Sequence, residues 1–245
     1  MNLIKKVIRK YLPRINPFHT NHPEKIFCIS MQRTGTTSVG NFFQDFKFKW
    51  AGWPADRRND WSYSWYQGDY EKIFNSMEFK ATNAYEDSPW FLPGFYKVLF
   101  HRFPGAKFIL FTRNSDAWFQ SMRKHSKGNI LGRSRIHSKI YRRELEFFNL
   151  LQSGTIDETI EDKKRFEKTM KISPDLAEQY KAVYDLHNIE VQDFFRRHAP
   201  EALYAGTLED PEKWQKLGKF LNIKVPNNYE SYENKSKELH DKVIK

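Results

Sequence analysis

One arginine, one glycine and four hydroxyl side chains occupy six consecutive positions, Arg33-Thr34-Gly35-Thr36-Thr37-Ser38. Guanidinium and hydroxyl groups are donors matched to phosphate- or sulfate-like oxygens. The residues lie between an apolar run, Ile26 to Met31, and a segment in which Val39, Phe42, Phe43 and Phe46 follow helical spacing. This is the pattern of strand, tight loop and helix, and the first amides of such a helix are unpaired and attract anions. A plainer reading is equally open: Thr34 caps the helix and Gly35 serves a turn. Set against the nucleotide loop G-x-x-x-x-G-K-[ST], Gly35 and Thr37 fit, but Ser30 replaces the first glycine and Thr36 the lysine. The loop therefore suits an anion yet lacks the parts that hold a magnesium nucleoside triphosphate.

A second cation closes a second strand. Lys107–Thr112 (KFILFT) is apolar and ends on Arg113; Ser115 then caps a helix with Trp118, Phe119 and Met122 on one face and Ser121 on its second turn. Between these motifs, Phe46–Pro54 reads as a strand or extended segment, and Asp56–Asp69 as a polar loop carrying Trp61, Tyr63, Trp65 and Tyr66. Tyr70–Met77 reads as a helix, and Phe79–Pro93 contains the acidic pair Glu86-Asp87 before Ser88-Pro89. A helix over Phe91–Phe103 precedes the second strand, and helical spacing then covers Ile136–Leu151, Ile156–Met170 and Pro174–Arg197. A strand at Ala202–Ala205 and a helix over Asp210–Leu221 follow. Strands alternating with helices imply an α/β fold, a three-layer arrangement with a central parallel sheet flanked by helices, with ligands at the carboxyl ends of the strands. Arg33 to Ser38 and Arg113 both fall at such ends.

With 245 residues and no recognisable linker, the chain reads as a basic arm over residues 1–24 and one domain over 25–245. Aromatic residues make up 16%, enough for a core despite a mean hydropathy of −0.78. The net charge of +11 points to acidic partners without choosing among nucleotides, sulfated substrates, nucleic acid or an anionic membrane. Cys28 is the only cysteine, which excludes a disulfide framework and fits a reducing, cytoplasmic setting. In the arm, Ile4, Val7, Ile8, Tyr11 and Leu12 follow helical spacing with Lys5, Lys6, Arg9 and Lys10 between them. Such a helix can rest on an anionic membrane face, or dock on its own domain.

Two motifs together resemble the PAPS-dependent sulfotransferases, and the match spans most of residues 25–223. Arg33-Thr34-Gly35-Thr36-Thr37 resembles that family's 5′-phosphosulfate loop, and Arg113 with Ser121, eight residues on, resembles its 3′-phosphate pair; Leu208–Ile223 is a weaker echo. The resemblance implies a P-loop-like fold and transfer of a sulfuryl group from 3′-phosphoadenosine 5′-phosphosulfate (PAPS) to a hydroxyl or amine, leaving PAP, with no metal. Arg33 would hold the bridging and sulfuryl oxygens, and Thr34 to Ser38 with the loop amides the 5′-phosphate; Arg113 and Ser121 would hold the 3′-phosphate. A general base is also required. At the place where cytosolic members carry a histidine before Leu-Pro stands Asp87-Ser88-Pro89, which makes Asp87 the first candidate and Glu86 the second; helix capping is the alternative role for Asp87. His101, His125 and His137 are further alternatives.

The chain also departs from that pattern. Ser38 replaces a tryptophan, so adenine stacking would have to come from elsewhere, Trp50 or Trp53, and the C-terminal Arg-Lys-Gly element is absent; both mark a divergent, bacterial-type member. The basic stretch Arg123–Arg143 suits an anionic or carbohydrate acceptor, a glycolipid included, or is simply a solvated face. A small-molecule kinase is disfavoured by Thr36 in the lysine position. A basic module binding nucleic acid or membrane is disfavoured because the cations are spread along the chain without an RNA-binding signature.

Overall fold

The computed structural model describes residues 24–155 and 170–231. The expected basic helix of the N-terminal arm and the expected helix over 156–170, but for its last residue, lie outside them. Five parallel strands, β1 (Ile26–Cys28), β2 (Trp50–Ala51), β3 (Ala84–Tyr85), β4 (Lys107–Thr112) and β5 (Leu203–Thr207), form one sheet in the order β2-β3-β1-β4-β5. Phe27 stands opposite Tyr85 on one side and Phe108 on the other, and β4 pairs with β5 from Phe108↔Leu203 to Thr112↔Thr207.

Alternation along the central strand divides the core. Phe27 and Ile29 point into the larger apolar cluster, Ile26 and Cys28 into the smaller one on the opposite face. The smaller cluster is roofed by α1 (Thr36–Asp45), through Val39, Phe42 and Phe43, and by the helix Lys213–Phe220, through Trp214 and Leu217. The larger is covered by α2 (Trp53–Asn59), α3 (Trp61–Gln67), α4 (Tyr70–Asn75), α5 (Met77–Ala81), α6 (Phe95–Arg102), α7 (Ser115–Ser126), α8 (Ser134–Ile140), α9 (Glu144–Gln152) and α10 (Ala177–His198). Helices on both faces of a parallel sheet give the expected three-layer α/β architecture. On the smaller face α11 (Lys213–Phe220) contributes Trp214, which stacks on Phe42 at 5.6 Å. Residues 226–231 strap across α1: the Tyr229 hydroxyl donates to Asp45 Oδ2 (2.8 Å) and the Ser231 hydroxyl to the Ser38 carbonyl (2.9 Å).

Several local expectations give way. Asp56–Asp69 is not a loop but most of two short helices, because Trp61 and Trp65 face the core one turn apart while Gly52 and Gly68 end the segment. The expected helix over Ile136–Leu151 is two helices, α8 and α9, broken where Arg142 takes a left-handed backbone (φ 56°). Asn114, not Ser115, caps α7, its side chain accepting from the Ala117 amide at 3.1 Å. Among the described residues no helix is long and apolar enough to cross a membrane.

Candidate active site

Both expected anion loops leave the carboxyl ends of adjacent strands. β1 ends on Cys28, and the Ile29 amide still donates to the Ile109 carbonyl at 2.9 Å. The next residue, Ser30, fixes the loop's departure: its hydroxyl oxygen accepts from the Phe111 amide at 2.7 Å. The position where the nucleotide loop carries a glycine thus holds a hydroxyl that bolts β1 to β4. Thr34 does not cap α1; its hydroxyl donates back to the Met31 carbonyl, and Gly35 is the N-cap with no side-chain bond. Gly35 has φ 81°, a conformation that favours glycine, and a Cβ there would meet Leu208 Cδ2 at 2.7 Å and push that side chain aside. The first amides of α1 are therefore free of any side-chain acceptor of the cap residue, beside Thr36, Thr37 and Ser38.

Arg33 itself takes a left-handed backbone (φ 68°). Its side chain crosses to the other loop, where Nε donates to Ser121 Oγ on α7 at 3.2 Å. The two motifs, 88 residues apart, meet in a direct hydrogen bond. α7 is tied to the first loop a second time: Trp118 Nε1 donates to the Gln32 carbonyl at 2.8 Å. Arg113 is held by its main chain, since the Tyr184 hydroxyl of α10 accepts from its amide (2.9 Å) and donates to its carbonyl (3.2 Å). The Arg113 Nε is buried without a protein partner, and so is Gln32 Oε1. An orphaned guanidinium donor between two anion loops fits a bound phosphate oxygen. Burial, and then the charge of Arg113, disfavours the Arg33 proton, while Asp87 opposes them.

Glu86 and Asp87 follow β3, on the other side of β1 from β4. Asp87 is the second residue here with a left-handed backbone (φ 65°). The other non-glycine residues with positive φ among the described ones, Lys47, Asp60, Lys127, Arg142 and Asn222, stand at or just past helix ends, where the left-handed conformation terminates a helix. Arg33 and Asp87 have no such reason, and strain of this kind gathers at functional sites. Asp87 Oδ1 accepts from the Ser88 amide at 2.7 Å; burial, with the charge of Asp56 adding and that of Arg33 opposing, pushes its pKa up to about 6. Glu86 is buried deeper, in a slot made by two glycines: a Cβ on Gly52 would lie 2.0 Å from Glu86 Oε1, and one on Gly40 3.3 Å from its Cγ. Burial first, then the charge of Asp87, raises the Glu86 pKa well above the usual carboxylate value.

The alternative histidines separate cleanly. His137 is buried, its ring nitrogens engaged with the Leu131 carbonyl (3.1 Å) and the Tyr180 hydroxyl (2.6 Å), and burial pushes its pKa down to about 3. His101 packs on Phe100 at 5.2 Å in the last turn of α6, the helix that leads into the start of β4. His125 is exposed and within the field of Arg33. Trp50 and Trp53 belong to the β2 edge, across β1 from the strand that leads to Arg113. Tyr184, Trp118, Ser30 and the two glycines were not foreseeable as site residues; each acts through a backbone group or a cavity that the sequence does not display.

A family model described as a sulfotransferase domain matches residues 25–239. Comparison with curated proteins returns no match. The matched span contains both anion loops, the acidic pair and all five strands, and the chain belongs to the sulfotransferase domain family.

Proposed function

We propose that the protein is a PAPS-dependent sulfotransferase acting on a hydroxyl or amine acceptor: a small molecule, a carbohydrate or a lipid headgroup. The observation that carries this reading is the Arg33–Ser121 hydrogen bond, which joins the phosphosulfate-type loop to the 3′-phosphate-type pair. PAPS supplies a sulfuryl group on an anhydride oxygen, which transfers without activation by a metal. Arg33 with the loop amides and the hydroxyls of Thr36, Thr37 and Ser38 binds the anionic end, and Arg113 with Ser121 binds the 3′-phosphate. As the acceptor oxygen bonds to sulfur and the bond to the 5′-phosphate oxygen breaks, charge gathers on the leaving oxygen; Arg33 stabilises it by charge. A guanidinium keeps its proton, so Arg33 is no proton donor. The acceptor's proton passes to Asp87, whose pKa of about 6 leaves it ionised at neutral pH yet basic enough to take a proton. Beside it, burial of Glu86 in its glycine-walled slot disfavours a second charge. We place the enzyme in the cytoplasm, where its basic N-terminal arm can meet an anionic membrane face.

Calorimetry with PAP against magnesium-ATP tests the reading. PAP binds in preference and Arg113→Ala abolishes that binding; magnesium-dependent ATP binding without PAP binding overturns it. Turnover that collapses in excess EDTA would overturn the metal-free route.

A further inference from the structure

The β2–β3 side of the sheet carries one aromatic surface that the core does not use. All seven tryptophans lie among the described residues; five are buried, Trp50 is half-buried, and Trp53 is 46% exposed. Trp53 follows directly on Gly52, the residue whose absent Cβ makes room for Glu86, so the chain enters α2 beside the acidic pair. One turn on, Arg57 lays its guanidinium over that ring at 5.0 Å. Its neighbour Arg58 is consumed by an ion pair with Glu78, whereas Arg57 has no carboxylate within ion-pair distance among the described residues. The same helix, α2, turns Asp56 inward, where its carboxylate holds the Ser62 amide and hydroxyl at 2.6 and 2.8 Å and its charge reaches Asp87. α2 is thereby anchored beside the candidate base while Trp53 and Arg57 remain turned to water.

We propose that Trp53 and Arg57 form the acceptor platform, and that the acceptor is a saccharide bearing a carboxylate or sulfate group. The assignment rests on the sulfotransferase reading and supplies the acceptor class it leaves open. The apolar face of a pyranose stacks on an exposed indole, the planar guanidinium beside it takes an acidic substituent through paired hydrogen bonds, and a free hydroxyl of the same sugar then points down to Asp87. A neutral sugar leaves Arg57 unused, and a long apolar acceptor would lie against a cation. The strand order keeps this platform clear of the nucleotide, because β2 and β3 lie on one side of β1 and β4 and β5 on the other.

Trp53 is its own reporter, being the ring most open to a collisional quencher. Acrylamide quenching of the full chain, saturated with PAP, is compared with and without chondroitin and heparin tetrasaccharides, and with neutral maltotetraose. The acidic tetrasaccharides shield Trp53 and maltotetraose does not; Arg57→Ala, a fully surface change, weakens that protection roughly tenfold, the usual effect of losing a charged hydrogen bond. PAP affinity measured on the same samples stays unchanged in Arg57→Ala. Absence of protection by either acidic glycan, equal protection by maltotetraose, or protection indifferent to Arg57→Ala overturns the platform while leaving the nucleotide reading intact. Failure of PAP to bind the wild-type chain overturns both.

Discussion

Asp87 and Glu86 show how two adjacent carboxylates acquire different characters. Asp87 keeps a backbone amide and faces the field of Arg33; Glu86 has only a glycine-walled slot. Two predictions belong to this pair. Acceptor turnover falls as pH drops through about 6, because a protonated Asp87 cannot take the acceptor's proton, and Asp87→Asn removes both the activity and that limb of the kcat/KM profile while PAP affinity persists. Stability moves the opposite way. The folded pKa of Asp87 lies above its unfolded value, so between about pH 4 and 6 the folded chain holds a proton that the unfolded chain releases. Acidification through that window therefore stabilises, and at pH 7 the ionised carboxylate is a cost; Asp87→Asn and Glu86→Gln each raise the melting temperature at pH 7. A lower melting temperature in both variants would contradict this account of their burial.

At the scale of elements, the cleft is assembled by loops that other helices hold in place. The Tyr184 hydroxyl of α10 satisfies both main-chain groups of Arg113, and Trp118, which stacks on Tyr184 at 4.4 Å, satisfies the Gln32 carbonyl. Tyr184→Phe leaves the Arg113 amide and carbonyl unpaired in a buried place, and costs about 1–3 kcal/mol in urea denaturation. The same change weakens PAP binding without touching the nucleotide; unaltered PAP affinity would show that Arg113 needs no such support. Gly35→Ala is costlier than its size suggests, because a left-handed non-glycine residue loses ~1–2 kcal/mol and the new methyl group also displaces Leu208. Its denaturation midpoint should fall accordingly, with the anion loop displaced and PAP affinity reduced.

For the whole molecule, the sheet is the rigid body on which the cleft is mounted. Phe27 lies at its centre, fully buried, with ring neighbours Tyr85 at 5.0 Å, Trp90 at 5.3 Å and Phe108 at 5.7 Å drawn from three successive parts of the chain. Phe27→Ala is predicted to cost about 3–5 kcal/mol, the range for emptying a phenylalanine site in a dense core. Most of a marginal domain's stability is of that order, so soluble expression should fall sharply. Arg57→Ala, on the surface, should leave the midpoint within error; a large shift there would mean the guanidinium is structural.

Local chemistry made much of this legible without coordinates. Gly35 among hydroxyls after an apolar run could only be a turn into a helix, and Lys107–Thr112 ending on Arg113 could only be a buried strand, since period and turn residues are properties of short stretches. The α/β layering and the anion loops follow from these. Segment 56–69 reads as a loop because its helices are too short for a clear period and are held by Trp61 and Trp65 against the core. Folding alone decided which loops meet: that Arg33 reaches Ser121, that Ser30 bolts β1 to β4, and that Gly40 and Gly52 wall in Glu86. The same holds for the strand order, which sets Arg113 and the acidic pair on opposite sides of β1. Burial and juxtaposition across the sheet are not properties of any short stretch, and they, rather than residue type, give Asp87 its raised pKa and leave Trp53 in water.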